Sequence, residues 1–201
     1  MKKKNTLIIG ISGKAGAGKD TLAHAFAKYI ERKYPITVML AHIYSFGDIL
    51  KNEVHQYTRI PIENFYKREV KEIYRPLLQW WGTEYRRNPL TGGNNEYWIE
   101  GHKAKVYEIA QAWNITFNII FVPDVRFDNE AKYVDYLINV VREDGEYAVN
   151  GADHASEAGI DISLVDAEVH IRHNVSVETN YPDTYLEWVL EVAMNEYKNR
   201  Q

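Results

Sequence analysis

The chain has 201 residues, which suits one well-cored domain with room for an inserted substrate-binding region and leaves too little for a second independent domain. With 24 basic against 28 acidic residues the formal charge is -4, which predicts no polybasic surface for duplex DNA or an anionic membrane, while a local cluster can still hold a small anion. There is no cysteine, so disulfides and thiolate metal sites are excluded and a reducing compartment is expected.

The chain starts Met1-Lys2-Lys3-Lys4, and the apolar run that follows is too short for a signal-peptide core or a membrane span; a cytoplasmic protein is expected. Thr6–Ser12 reads as a strand apolar on both faces. It runs into Gly13-Lys14-Ala15-Gly16-Ala17-Gly18-Lys19-Asp20-Thr21, and then into a helix with Leu22, Ala25, Phe26, Tyr29 and Ile30 on one face. This is the layout of a phosphate-binding P-loop. Glycines let backbone amides turn inward, a lysine reaches the outer phosphates, and the helix N-terminus favours an anion. The hydroxyl that commonly follows the lysine is displaced: Asp20 intervenes and the hydroxyl arrives at Thr21.

Further strands are predicted at Thr37 to His42, Phe117 to Val122, Tyr136 to Val141 and Glu168 to Arg172. A long helical tract runs from Ile62 to Asn114, broken by the turn-like 88–95. Glu143 to Gly159 reads as a polar, glycine-bearing lid, and a helix near Asp183 to Lys198 buries Leu186, Val189, Leu190 and Ala193. Alternating strands and helices predict an α/β fold with a three-layer α/β/α arrangement, a mostly parallel central sheet and ligands at the carboxyl ends of its strands.

Two constellations carry chemistry. Asp124, at the end of the third strand, can hold Mg²⁺ or orient an attacking group; the alternative is an N-cap for a helix starting near Asn129. Arg126 can neutralise charge on a transferred phosphate, and Glu130, one turn on, either orients Arg126 or is a solvated first-turn acid. The second constellation, Lys67 to Arg87, mixes basic residues with Trp80, Trp81 and Gly82. A pocket for an aromatic base with its phosphate and a helix with packed tryptophans both fit it.

The set Gly13 to Thr21, Phe46-Gly47-Asp48-Ile49-Leu50-Lys51, Leu78 to Glu84 with Arg86 or Arg87, Asp124-Val125-Arg126-Phe127 with Asn129-Glu130-Ala131, and His154 with Ser156-Glu157 resembles the motifs of phage deoxynucleoside monophosphate kinases. The resemblance runs in order from the glycine-rich loop to Asn174. It implies a single P-loop NTPase domain with a helical acceptor-binding region at about 46–114 and a lid at 143–159, in the host cytoplasm if phage-encoded. It also implies transfer of the γ-phosphate of ATP to a deoxynucleoside monophosphate, with Mg²⁺.

Carried over by residue, Gly13, Lys14, Ala15, Gly16, Ala17, Gly18, Lys19, Asp20, Thr21 and Asn174 would hold ATP. Asp20, Thr21 and Asp124 would meet the metal, directly or through water. Lys51, Arg68, Gly82, Thr83, Arg86, Trp98, Asp124, Arg126 and Glu130 would face the acceptor. Lys19, Asp124, Arg126 and Arg142 would carry catalysis, with His154 and Glu157 in the lid. A homodimer stays open. So do two other classes: a P-loop kinase for another phosphorylated molecule, such as dephospho-coenzyme A or phosphomevalonate, and a nucleotide-binding module without turnover.

Overall fold

The computed structural model describes residues 5–112, 115–143, 145, 159–172 and 175–200. Asn174, His154, Glu157 and all of the expected lid except 143, 145 and 159 lie outside them. The chain divides into two compact units, Met1–Tyr44 with Val106–Gln201, and Ser45–Lys105.

The first unit is built on five parallel strands: β1 (Thr6–Ser12), β2 (Met39–Ile43), β3 (Phe117–Val122), β4 (Tyr136–Arg142) and β5 (Ala167–Ile171), in the order β2-β3-β1-β4-β5. β1 is central and wholly buried, which is why its sequence TLIIGIS lacks alternation: a strand covered on both faces has no polar side to show. β2 begins at Met39, two residues later than the sequence suggests. The amides of Val38 and Met39 are turned onto the Pro35 carbonyl at 2.8 and 3.1 Å, so Thr37 and Val38 belong to a turn.

Alternation along each strand separates two faces. Leu7, Ile9 and Ile11 of β1, with Ile138 and Val140 of β4, join one core cluster with residues of helix α1 (Lys19–Lys33) and of the C-terminal helix (Asp183–Asn199). Phe26 of α1 stacks on Phe121 of β3 at 5.2 Å between centroids and 11° between planes, anchoring the helix that carries the lysine. Burial of such a ring contributes about 1.5–3 kcal/mol. On the other face Gly10 admits a close approach, because a Cβ there would meet Val134 at 2.9 Å and Val125 at 3.0 Å. These two valines flank the short helix Asp128–Tyr133, so the sheet is covered on both sides and the unit has three layers.

The second unit is helical. α2 (Phe46–Thr58) starts with a capping box in which the Ser45 hydroxyl accepts from the Asp48 amide at 3.0 Å while the Asp48 carboxylate accepts from the Ser45 amide at 3.1 Å. α3 (Arg68–Gln79) contains Pro76 and passes into a π-helical turn, Trp80–Tyr85, closed by the Arg86 amide on the Trp81 carbonyl. α4 (Tyr97–Ala112) follows the broken stretch predicted at 88–95. Val54, Phe65 and Leu78 form the centre of a small core, with Leu50, Tyr74 and Trp81 against it. Among the described residues no helix is long and apolar enough to cross a membrane.

Candidate functional site

The connection from β1 to α1 is shaped by its glycines. Gly13 has φ 136°, and a Cβ there would lie 2.5 Å from the Val140 carbonyl oxygen; Gly18 has φ 95° and would meet Ile171 at 2.9 Å. Any other residue at either position would be strained by its backbone and would clash with a neighbouring strand. Gly18 is the N-cap of α1 and makes no side-chain hydrogen bond to its first amides, leaving the cap side of the helix dipole without a side-chain acceptor of its own. The Lys19 ammonium donates to the carbonyls of Gly13 at 2.6 Å and Lys14 at 2.8 Å, and the Ala17 amide donates to Lys14 at 3.1 Å. The turn from Lys14 to Ala17 is thus closed by a backbone hydrogen bond, and the Lys19 ammonium folds back onto the first two carbonyls of the loop. Asp20 and Thr21 are exposed in the first turn of α1.

A cleft of about 320 Å³ opens beside this loop, at the low end of the range for small-molecule sites. Ser12, Gly13 and Lys14 form one side. Val125 and Arg126 follow β3, Asn139 to Val141 lie in the last part of β4, and Gly159, Ile160, Ile162 and Val165 close the remaining wall. These are carboxyl ends of parallel strands, where open α/β sheets hold ligands. The lining is mostly aliphatic, with Lys14 and Arg126 as its cations.

Glu130, 2 % exposed, accepts from the amides of Arg126 at 2.8 Å and Phe127 at 3.2 Å. It is therefore neither a solvated acid nor only a partner for a guanidinium; it fixes the backbone from which Arg126 projects. The helix begins at Asp128 and is capped from inside by this carboxylate, so Asp124, four residues earlier, is not its N-cap. Asp124 is half-buried. Arg142 ends β4 in register with Ile171 and is not among the residues that line the cleft.

Arg86, Trp98, Gly82 and Lys51, expected to face an acceptor, make contacts within the second unit. Glu53 accepts from the Arg86 guanidinium at 2.5 Å, the Tyr97 hydroxyl at 2.7 Å and the Trp81 indole at 2.8 Å. Arg86 also lies over the rings of Tyr97 and Tyr85 at 4.8 and 4.9 Å. Burial, with the Glu53 carboxylate beside it, pushes the Tyr97 hydroxyl up to about 12. Arg87 is buried and donates to the Asn95 carbonyl at 3.1 Å, so neither arginine extends from the unit as the motif reading expected.

Trp98 is 3 % exposed and its indole donates to the Gly82 carbonyl at 2.8 Å; it locks the π turn from within and is no open pocket wall. Gly82 is buried against Leu50, which a Cβ would approach to 3.1 Å. Thr83 is half-buried in the same turn. Trp80 is the exposed member of the pair, stacked on Tyr85 at 5.4 Å. Arg68 opens α3; its side chain lies outside the described residues.

Lys51 lies 3.3 Å from the Asp48 carboxylate and 4.1 Å over the Tyr66 ring, whose hydroxyl also donates to Asp48 at 2.8 Å. Burial alone would raise the Asp48 pKa. The Lys51 ammonium, the Ser45 donors and the Tyr66 hydroxyl outweigh it and hold the carboxyl below its ordinary value. A depressed carboxyl stabilises the folded state above its unfolded pKa and loses that contribution as the pH falls through its folded one. Asp48→Asn should therefore be less stable than the wild type at neutral pH, and urea titrations should show the gap closing below about pH 4. A gap independent of pH between 7 and 3 would remove Asp48 as a charged anchor.

A scan against protein-family models and a search of curated proteins give no match. Among solved structures, the crystal structure of TT1252 from Thermus thermophilus is similar over 96% of this chain and 98% of that chain, with 14% identity and a TM-score of 0.47.

Proposed function

We propose that the chain is an ATP-dependent phosphotransferase of P-loop type whose acceptor is a deoxynucleoside monophosphate. The observation that carries the proposal is the Gly13–Gly18 loop: it joins a central parallel strand to a helix N-terminus without a side-chain cap and holds the Lys19 ammonium against its own carbonyls. Backbone amides in a glycine-rich turn, a helix dipole and a lysine at the first helical position are what a polyphosphate site needs, and few other ligands need all three.

In this reading the donor phosphates lie on the loop and Lys19, and the acceptor phosphate enters the adjoining cleft toward Arg126 and Lys14. Phosphoryl transfer asks mainly for alignment of two anions and neutralisation of their charge, so no nucleophilic Ser or Cys is needed. A phosphate monoester is already largely dianionic at neutral pH and needs no strong general base. Asp20, Thr21 and Asp124 offer oxygen donors of the kind Mg²⁺ takes, and a phosphate-bound Mg²⁺ needs only one or two from the protein. These residues would supply them, and the ion would add charge neutralisation. The resemblance of the ordered motifs supplies the nucleotide acceptor.

An ADP-release assay across all deoxy- and ribonucleoside monophosphates tests the proposal, with dephospho-coenzyme A and phosphomevalonate as rival acceptors. ATP binding without turnover on any of them would identify a nucleotide-binding module. The displaced hydroxyl gives a sharper expectation. Thr21→Val should impair ATP-dependent turnover about a hundredfold, whereas Asp20→Ser should keep most of it. The opposite pattern in kcat would give the metal-side role to Asp20.

A further inference from the structure

Three polar side chains lie in one row across neighbouring strands. Ser12 of β1 pairs in register with Asn139 of β4, and Asn139 pairs in register with Glu168 of β5. Register neighbours on parallel strands point to the same face, so their side chains meet sideways. The Ser12 hydroxyl lies 3.2 Å from the Asn139 Oδ1, and the Asn139 Nδ2 lies 3.0 Å from Glu168 Oε1. The flanking Ile138, Val140 and Val169 belong to the core on the opposite face. Ser12 and Asn139 line the cleft, and Glu168 ends the row in solvent.

The polarity of the row follows from its outer end. An ionised carboxylate only accepts, so Asn139 must turn its NH₂ toward Glu168 and its carbonyl toward Ser12. The single hydroxyl proton of Ser12 is then committed to Asn139, and toward the cleft Ser12 has lone pairs alone. We propose that this row makes Ser12 an obligatory hydrogen-bond acceptor on the cleft floor, selecting ligands that present a neutral donor there, a sugar hydroxyl or a base N–H. This rests on the reading that the cleft takes a phosphorylated acceptor. Ser12 is 3 % exposed, so a ligand group that reaches it leaves water behind and must be matched in polarity. An acceptor at that point also repels phosphate oxygens and leaves the phosphate to Arg126 and Lys14.

Calorimetric titration of each protein with a deoxynucleoside monophosphate, its 3′-deoxy counterpart and a counterpart lacking the base amine tests the proposal. Ser12→Ala should weaken the parent ligand about three- to tenfold, the worth of one neutral hydrogen bond, and leave unchanged the one analogue that lacks the recognised donor. Which analogue is insensitive tells sugar from base. Equal weakening of all three ligands, with the fold intact, would overturn the proposal. Glu168→Gln, whose amide can show Asn139 either polarity, should shrink the wild-type preference for the parent over that analogue; an unchanged preference would also overturn it.

A ligand-free measurement separates this from the acceptor reading. The Asn139 side-chain amide protons, followed by proton–nitrogen NMR, should shift in Glu168→Gln, and unmoved resonances would refute the row's polarity whatever binds. A protein that binds none of the monophosphates yet shows the NMR shift would sink the acceptor reading while upholding the row.

Discussion

Lys19→Ala should lower turnover by about a hundred- to thousandfold at saturating ATP, the usual consequence of losing one charge contact to a transition state, or about 2.7–4 kcal/mol. The expectation rests on where the lysine sits. It is the first residue of α1, half-exposed, and its ammonium donates to the loop carbonyls of Gly13 and Lys14, while the helix is held to the sheet by Leu22, Phe26 and Ile30 further along. Its removal should therefore leave the circular dichroism spectrum and the thermal midpoint nearly unchanged. Retention of more than about a tenth of wild-type kcat would detach the glycine-rich loop from the chemistry. A collapse of the fold would instead assign Lys19 a structural role as a staple of the loop.

The second large effect concerns stability, and it reverses what motif reasoning alone expects of Arg86. A guanidinium free to bind a monophosphate would, on truncation, raise the acceptor KM and leave the fold alone. Here Arg86 and Glu53 are 19% and 12% exposed, and the same carboxylate serves Tyr97 and Trp81. Arg86→Ala leaves a mostly buried carboxylate facing two neutral donors, and breaking one side of a buried pair costs about 3–5 kcal/mol. Chemical denaturation should show the unit Ser45–Lys105 destabilised by about that amount. Glu53→Gln, which keeps the shape and loses the charge, should show a smaller loss. An Arg86→Ala protein of wild-type stability with a raised acceptor KM would restore the ligand-binding role.

How much was legible in the sequence follows the range of each interaction. The central strand, the glycine-rich connection and the amphipathic face of α1 were readable because their signals are contiguous: an apolar run, glycines where φ is 136° and 95°, and apolar residues at helical spacing. The strand at Phe117–Val122 and the C-terminal helix were legible for the same reason. The sequence was silent where a residue's partner is distant. Arg86 and Trp98 look available in a list of motifs, yet they meet Glu53, 33 residues away, and Gly82, 16 residues away. Glu130 read either as an orienter of Arg126, from its spacing, or as a solvated first-turn acid, whereas its carboxylate turns back onto the amides of Arg126 and Phe127 before the helix.

The sequence by itself determined that this is an α/β chain with buried strands and a glycine-rich strand-to-helix connection, because strand burial, glycine conformations and helix periodicity are written in neighbouring residues. Only the tertiary structure decided the parallel order β2-β3-β1-β4-β5, the cleft beside the loop and the row Ser12–Asn139–Glu168. Those features depend on register between strands more than a hundred residues apart in the case of Ser12 and Asn139. Register is fixed by the packing of whole faces, and no local pattern around either residue records which strand will lie beside it.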